Sequence, residues 1–89
     1  MITGPRYFSF IEDAHIRRVA GFCVVRRDRP WITVVVASFL RGDLARELIA
    51  SLPTEMQARI ALEILNLRPV PQERVEALEA DVKAFLEAA

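Results

Sequence analysis

Few residues in this sequence have both the type and the spacing for chemistry. His15 is the only histidine, close behind Glu12 and Asp13. A general base needs an oriented partner and a pocket beside it, and a lone histidine at a helix start reads as an ordinary surface side chain. Cys23 is the only cysteine, so the chain can build neither a disulfide nor a thiolate metal cage. Its apolar neighbours place it in a core as an inert thiol. Gly4, Gly21 and Gly42 are the only glycines and form no phosphate-cradling loop. Glu73, Glu76, Glu79 and Asp81 read as a solvated helix face, and no set of His, Cys or carboxylate residues has ligand spacing. The expectation is a non-enzyme with no catalytic residue, no metal and no cofactor.

Arg17, Arg18, Arg26, Arg27 and Arg29 form the strongest argument for nucleic acid. A recognition helix places such residues among polar side chains that read base edges. Here no Asn, Gln or Ser occurs among them before Ser38, and the formal net charge of the chain is zero. Trp31, beside Pro30 and Arg29, admits two readings. Large aromatic residues and arginines anchor interfaces, and a tryptophan can equally open an apolar core helix. Charge is distributed unevenly: residues 1–42 carry seven arginines against three carboxylates, and residues 43–89 carry five basic against nine acidic side chains. Such halves can attract one another between copies or pair within one chain.

The elements that must position these residues are helical. Eighty-nine residues make one domain, with a core of modest stability. At 53% apolar, the composition suggests that some surface is covered by a partner or another copy. The longest apolar run, from Trp31 to Leu40, is far short of the ~20 residues of a membrane span, and no targeting segment is read at Met1. These features suggest a cytoplasmic protein with no direct membrane insertion. Residues 1–6 contain Gly4-Pro5 and read as a flexible lead-in, with a single domain over 7–89. The cluster Tyr7-Phe8-Ser9-Phe10-Ile11 suits a plug at one end of a helical core. Asp13 is the expected N-cap of a helix reaching Val25, with Ile16, Val19, Ala20, Cys23 and Val24 inward. Ile32 to Val36 are all β-branched and would suit a strand. No other segment alternates as a partner for one, so Trp31–Leu40 is read as a buried helix. Leu44, Leu48, Ile49 and Leu52 form one face of the next. The segment from Pro53 to Leu67 is apolar on two sides and is expected as the central helix, between neighbours. Thr54 and Gln57 have capping-box spacing. Pro69 and Pro71 then end that helix and open a last one with Val75, Leu78, Val82 and Phe85 inward. The pattern is all-α, with about five short helices.

Three of these stretches resemble the middle domain of the flagellar motor-switch protein FliG. The family typically shows an SYL-like helix end, an AAEVLSSLP-like helix and an LPEELQAEVALRIA-like helix. This chain reads SFL from Ser38, LARELIASLP from Leu44 and LPTEMQARIALEIL from Leu52, without a gap. Tyr7 to Ile11 is similar to the family's PFEFL-like opening, and Val70 to Ala89 to its final acidic amphipathic helix. The resemblance implies an armadillo-like right-handed helical layer in the rotor's switch ring. The family's Glu-His-Pro-Gln motif binds the neighbouring switch protein FliM, and the gap-free alignment puts Asp28, Arg29, Pro30 and Trp31 at those positions. Pro30 is identical and Asp28 keeps the charge, whereas Arg29 and Trp31 depart from the motif.

The resemblance further implies that this layer stacks against the equivalent layer of an adjoining domain. Leu44, Leu48, Val75, Leu78 and Val82 are the expected self-association face, should they be left uncovered. The family's membrane-ring and stator-facing domains have no counterpart in these residues, which suits an excised middle domain or a stand-alone adaptor. The leading expectation is a protein–protein interaction module that binds a FliM-like switch protein or another protein partner, with no nucleic acid. Two other readings stay open. A regulatory helical domain of the magnesium-transporter type would respond to magnesium, and a small DNA-binding regulator would bind duplex in a salt-dependent way.

Overall fold

Glu12 and His15 set the start of the first helix together. The Glu12 N–H donates to the His15 Nδ1 at 2.9 Å, and the His15 N–H donates to the Glu12 carbonyl at 2.8 Å. The N-cap is therefore Glu12, one residue before the expected Asp13. A 3-10 turn over Asp13–His15 leads into α1 (Ile16–Val25). Four more helices follow in the computed structural model, which describes residues 7–88: α2 (Trp31–Phe39), α3 (Gly42–Ala50), α4 (Thr54–Asn66) and α5 (Gln72–Glu87). No strand occurs among the described residues, and the fold is all-α. The lead-in expected over residues 1–6 lies outside the described residues.

The principal packing runs in the order α5, α1, α3, α2, α4: α1 packs on α5 and α3, and α2 on α3 and α4. The smallest extent of the molecule is 23 Å, about two helix diameters. The β-branched run of α2 is helical because burial outweighs its strand preference. Ile32, Thr33, Val34, Val35 and Val36 are all buried, and a helix satisfies its backbone within itself where no partner strand exists. Among the described residues Thr33 is the only buried polar side chain, and its Oγ1 has no hydrogen-bond partner there.

Phe8 and Ile11 are buried against these helices, with Tyr7 and Phe10 half-buried beside them. The aromatic cluster thus closes one side of the core, as its composition suggested. Phe8 adopts φ 64°, the left-handed region, which few non-glycine residues occupy. Its backbone N–H donates to the Glu79 carboxylate at 2.7 Å, and the Tyr7 hydroxyl donates to Glu76 at 3.0 Å. Two carboxylates read from the sequence as a solvated face thus fasten the N-terminal segment to α5.

Two expectations for α4 are corrected. The helix is not central but ends the packing order, with only Met56 and Ile60 buried. Its other apolar side chains, Leu62, Ile64 and Leu65, are exposed, since none of the other described helices lies beyond it. The capping box at Thr54 also does not form. Thr54 is already the first helical residue after Pro53, and the Gln57 amide donates instead to the Leu52 carbonyl at 2.9 Å.

Candidate partner interface

The turn between α1 and α2 holds the four residues singled out for partner binding. It is built from consecutive backbone hydrogen bonds. Arg26 N–H donates to Cys23 O at 3.0 Å, Arg27 N–H to Val24 O at 3.2 Å and Arg29 N–H to Arg26 O at 2.9 Å. Ile32 N–H then donates to Arg29 O at 3.1 Å, and Val34 N–H to Pro30 O at 3.2 Å. Pro30, with its fixed φ, occupies the N-cap of α2. These bonds define the backbone path of the turn.

Asp28 and Arg29 are exposed, whereas Pro30 and Trp31 are half-buried. Trp31 lies against the core with one part, while the Arg74 guanidinium of α5 stands 5.7 Å from its ring centroid. Trp31 thus opens the apolar helix and still reaches the surface. Arg26 is folded back, donating to Phe22 O at 3.1 Å and lying 3.6 Å from the Phe22 ring centroid. Arg27 and Arg29 form no ion pair among the described residues. Nothing in the sequence joined Arg74 to this turn. It comes from another helix, and only the antiparallel run of α5 against α1 brings it there.

The five residues expected on a self-association face are placed differently. Leu44, Leu48, Val75, Leu78 and Val82 are all buried in the chain's own core. They are covered because α3 and α5 both turn their apolar faces onto α1, so they offer no free surface. Among the described residues the exposed large apolar side chains are Val25, Phe39, Leu62, Ile64, Leu65 and Phe85. Between α2, α3 and α4 runs an open groove of about 710 Å³, with Val34, Ala37, Ile49, Ile60 and Ile64 in its walls.

His15, Cys23, Glu76 and Glu79 take structural places. The His15 ring caps a turn, as described above. Cys23 is fully buried, and desolvation pushes its thiol above the ordinary value, only partly offset by the neighbouring Thr33 hydroxyl and the Arg26 charge. Glu76 and Glu79 hold the N-terminal segment. No group of three or more His, Cys, Asp or Glu that could hold a metal ion occurs among the described residues. None of their helices is long and apolar enough to cross a membrane.

Against known proteins, the family model of the FliG middle domain matches residues 17–89. The chain belongs to the FliG middle domain family. It is a module related to the flagellar switch. The matched span includes the whole α1–α2 turn and every helix from residue 17 onward. Tyr7 to Ile11, likened above to the opening of a FliG middle domain, lies before the matched residues. No curated protein and no solved structure matched the chain.

Proposed function

We propose that this FliG middle-domain chain is a non-enzymatic protein–protein interaction module of a flagellar rotor switch complex. It works at the cytoplasmic side of the basal body as one armadillo-like layer of the switch assembly. The observation that carries this reading is the family match over residues 17–89, which includes the turn that the resemblance aligns with the family's switch-partner motif. The turn Asp28-Arg29-Pro30-Trp31 receives the partner, a FliM-like switch protein or a protein that takes its place. Three features support that assignment. The turn is tied by backbone hydrogen bonds, it is at the surface, and it combines a half-buried tryptophan with arginine, the pairing most enriched among interface anchors. Arg29 and Trp31 replace the family's histidine and glutamine, so the contact is larger and more basic, and its partner is matched to that change.

Capture from the native organism's lysate tests this reading, with wild type, Arg29→Ala and Trp31→Ala as parallel baits. Recovery of switch-ring proteins by wild type, with at least about tenfold weaker recovery by Trp31→Ala, is the expected result. Equal recovery by all three folded baits would remove the turn from the interface. Absence of switch proteins from every folded bait would remove the chain from the switch.

A further inference from the structure

Arg18 of α1 reaches the last turn of α5, and Arg74 in the first turn of α5 reaches Trp31. The start of α5 therefore lies beside the turn that joins α1 to α2. The Arg74 guanidinium stands 5.7 Å from the centroid of the Trp31 ring, and Arg29 and Arg27 precede that ring in the chain. All three arginines are exposed. Their side chains make no hydrogen bond and no ion pair among the described residues, whereas Arg18, Arg26 and Arg41 are each bound to a carbonyl or a carboxylate. Asp28 and Glu73 are their chain neighbours, and neither forms an ion pair with them.

A guanidinium over an aromatic face keeps its N–H edges for a further acceptor. Its planar fork matches a carboxylate through two parallel hydrogen bonds, a fit that lysine does not offer. Trp31 adds apolar surface beside these forks, with its inner part already fixed against the core. A matching ligand therefore carries carboxylates for the arginines and an apolar side chain for the indole. Asp28 and Glu73 decide which class of acidic macromolecule fits. A nucleic-acid backbone presents phosphate oxygens, which are acceptors only, and the two carboxylates repel it. A peptide brings N–H donors as well, and those suit Asp28 and Glu73.

We infer that Arg74 belongs to the partner site, and that what docks there is an acidic protein segment, with carboxylates on Arg29 and Arg74 and an apolar side chain against Trp31. This rests on the reading of the turn as the partner contact. It adds to that reading a residue from another helix and the chemistry of what binds. Complementary charge of this kind sets specificity, because a segment without carboxylates leaves the arginines desolvated and unpaired.

Isothermal titration of the full chain with the purified FliM-like switch protein of the same organism tests it, with circular dichroism as the folding control. Wild type binds, and binds more weakly as salt rises. Arg74→Glu weakens binding at least about tenfold at low salt. Arg59→Glu, an equal change of net charge at an exposed position of α4, leaves it unchanged. Switch-protein variants that reverse one surface carboxylate at a time to arginine include one that restores binding to Arg74→Glu. Wild-type affinity in Arg74→Glu, or an equal loss in Arg59→Glu, overturns the inference and leaves the turn reading in place. A loss that no reversal restores overturns the acidic segment. No binding by folded wild type removes the turn reading and the inference together. Retention of the chain on duplex DNA that is lost in Arg74→Glu replaces the protein partner by nucleic acid, and overturns the inference too.

Discussion

The backbone N–H of Phe8 donates to the Glu79 carboxylate at 2.7 Å, across 71 residues of sequence. The bond holds Phe8 at φ 64° while its ring sits 1% exposed in the core. A non-glycine residue keeps such a backbone only where its surroundings over-determine it, and here the buried ring and the carboxylate do so together. Phe8→Ala is expected to cost about 3–5 kcal/mol in chemical denaturation. Glu79→Gln keeps an acceptor but loses its charge, for about 1 kcal/mol. If Phe8→Ala unfolds at the wild-type midpoint, the segment does not close the core in solution.

Arg18 closes the other end of α5. Its guanidinium donates to the carbonyl oxygens of Leu86, Phe85 and Ala88 at 2.8, 2.9 and 2.7 Å, and lies 5.7 Å from the Phe85 ring centroid. A cation at a helix C-terminus meets the negative end of the helix dipole and carbonyls that lack helical partners. Arg18→Ala is expected to cost about 1–2 kcal/mol and to speed amide exchange in the last turn of α5. Arg18→Lys should recover only part of this, since an ammonium cannot reproduce the planar fork. Full recovery by lysine would show that charge alone, not geometry, holds the end.

Trp31 is the only tryptophan, so its emission reports directly on the partner turn. The Arg74 guanidinium covers part of the ring at 5.7 Å. Arg74→Ala is expected to shift the emission to the red and to cost no more than about 1 kcal/mol, the range for a cation over an exposed aromatic ring. Unchanged emission would mean that Arg74 leaves the ring in solution.

What could be read from the sequence followed from what each signal contains. Trp31–Leu40 was legible as a helix despite five consecutive β-branched residues, because no other segment alternates to pair with a strand. Spacing placed Ile16, Val19, Ala20 and Cys23 of α1 and Val75, Leu78 and Val82 of α5 inward, as they are, but Phe85, expected with them, lies at the end of α5 and stays 37% exposed beside the Phe22 ring. The role of α4 was not legible, because periodicity shows which side chains share a face and not whether a neighbour exists to cover it. For the same reason Leu44, Leu48 and the Val75 face could not be assigned to core or contact before the packing order was known. The Phe8 backbone carried no signal at all, since glycine or asparagine would have marked a positive φ and phenylalanine does not. Trp31 and its turn were found through resemblance, but Arg74 above the ring belongs to tertiary structure.

Burial of Cys23 sets a pH dependence of defined sign. Desolvation raises its thiol above the ordinary 9.0, and Tyr7 is likewise raised above 10.0, by desolvation and then by the Glu76 carboxylate. A group whose value is higher in the folded state contributes stability that is fully present below its unfolded value. That contribution is lost as pH rises through the folded one. Stability is therefore expected to hold up to about pH 9 and to fall above it. Cys23→Ala should flatten part of that fall while costing about 1 kcal/mol at neutral pH through a small cavity. An alkaline fall of the same steepness in Cys23→Ala would assign it to other groups. The native thiol should also resist alkylating reagents until the chain unfolds.

Leu48 and Leu65 separate core from surface most sharply. Leu48 is 0% exposed, and Leu65 is 82% exposed. Resemblance to a stacking family pointed to Leu48 as a contact residue, whereas the packing order buries it between α3 and its neighbours. Leu48→Ala is expected to destabilise the fold by about 2–5 kcal/mol, the transfer loss and the cavity acting together. Leu65→Ala should stay within about 0.5 kcal/mol, because the side chain has no core neighbours to lose. The contrast is a difference between two leucines of the same chain, so helix propensity and side-chain volume largely cancel in it. Comparable losses for both would mean that the outer face of α4 is covered in solution.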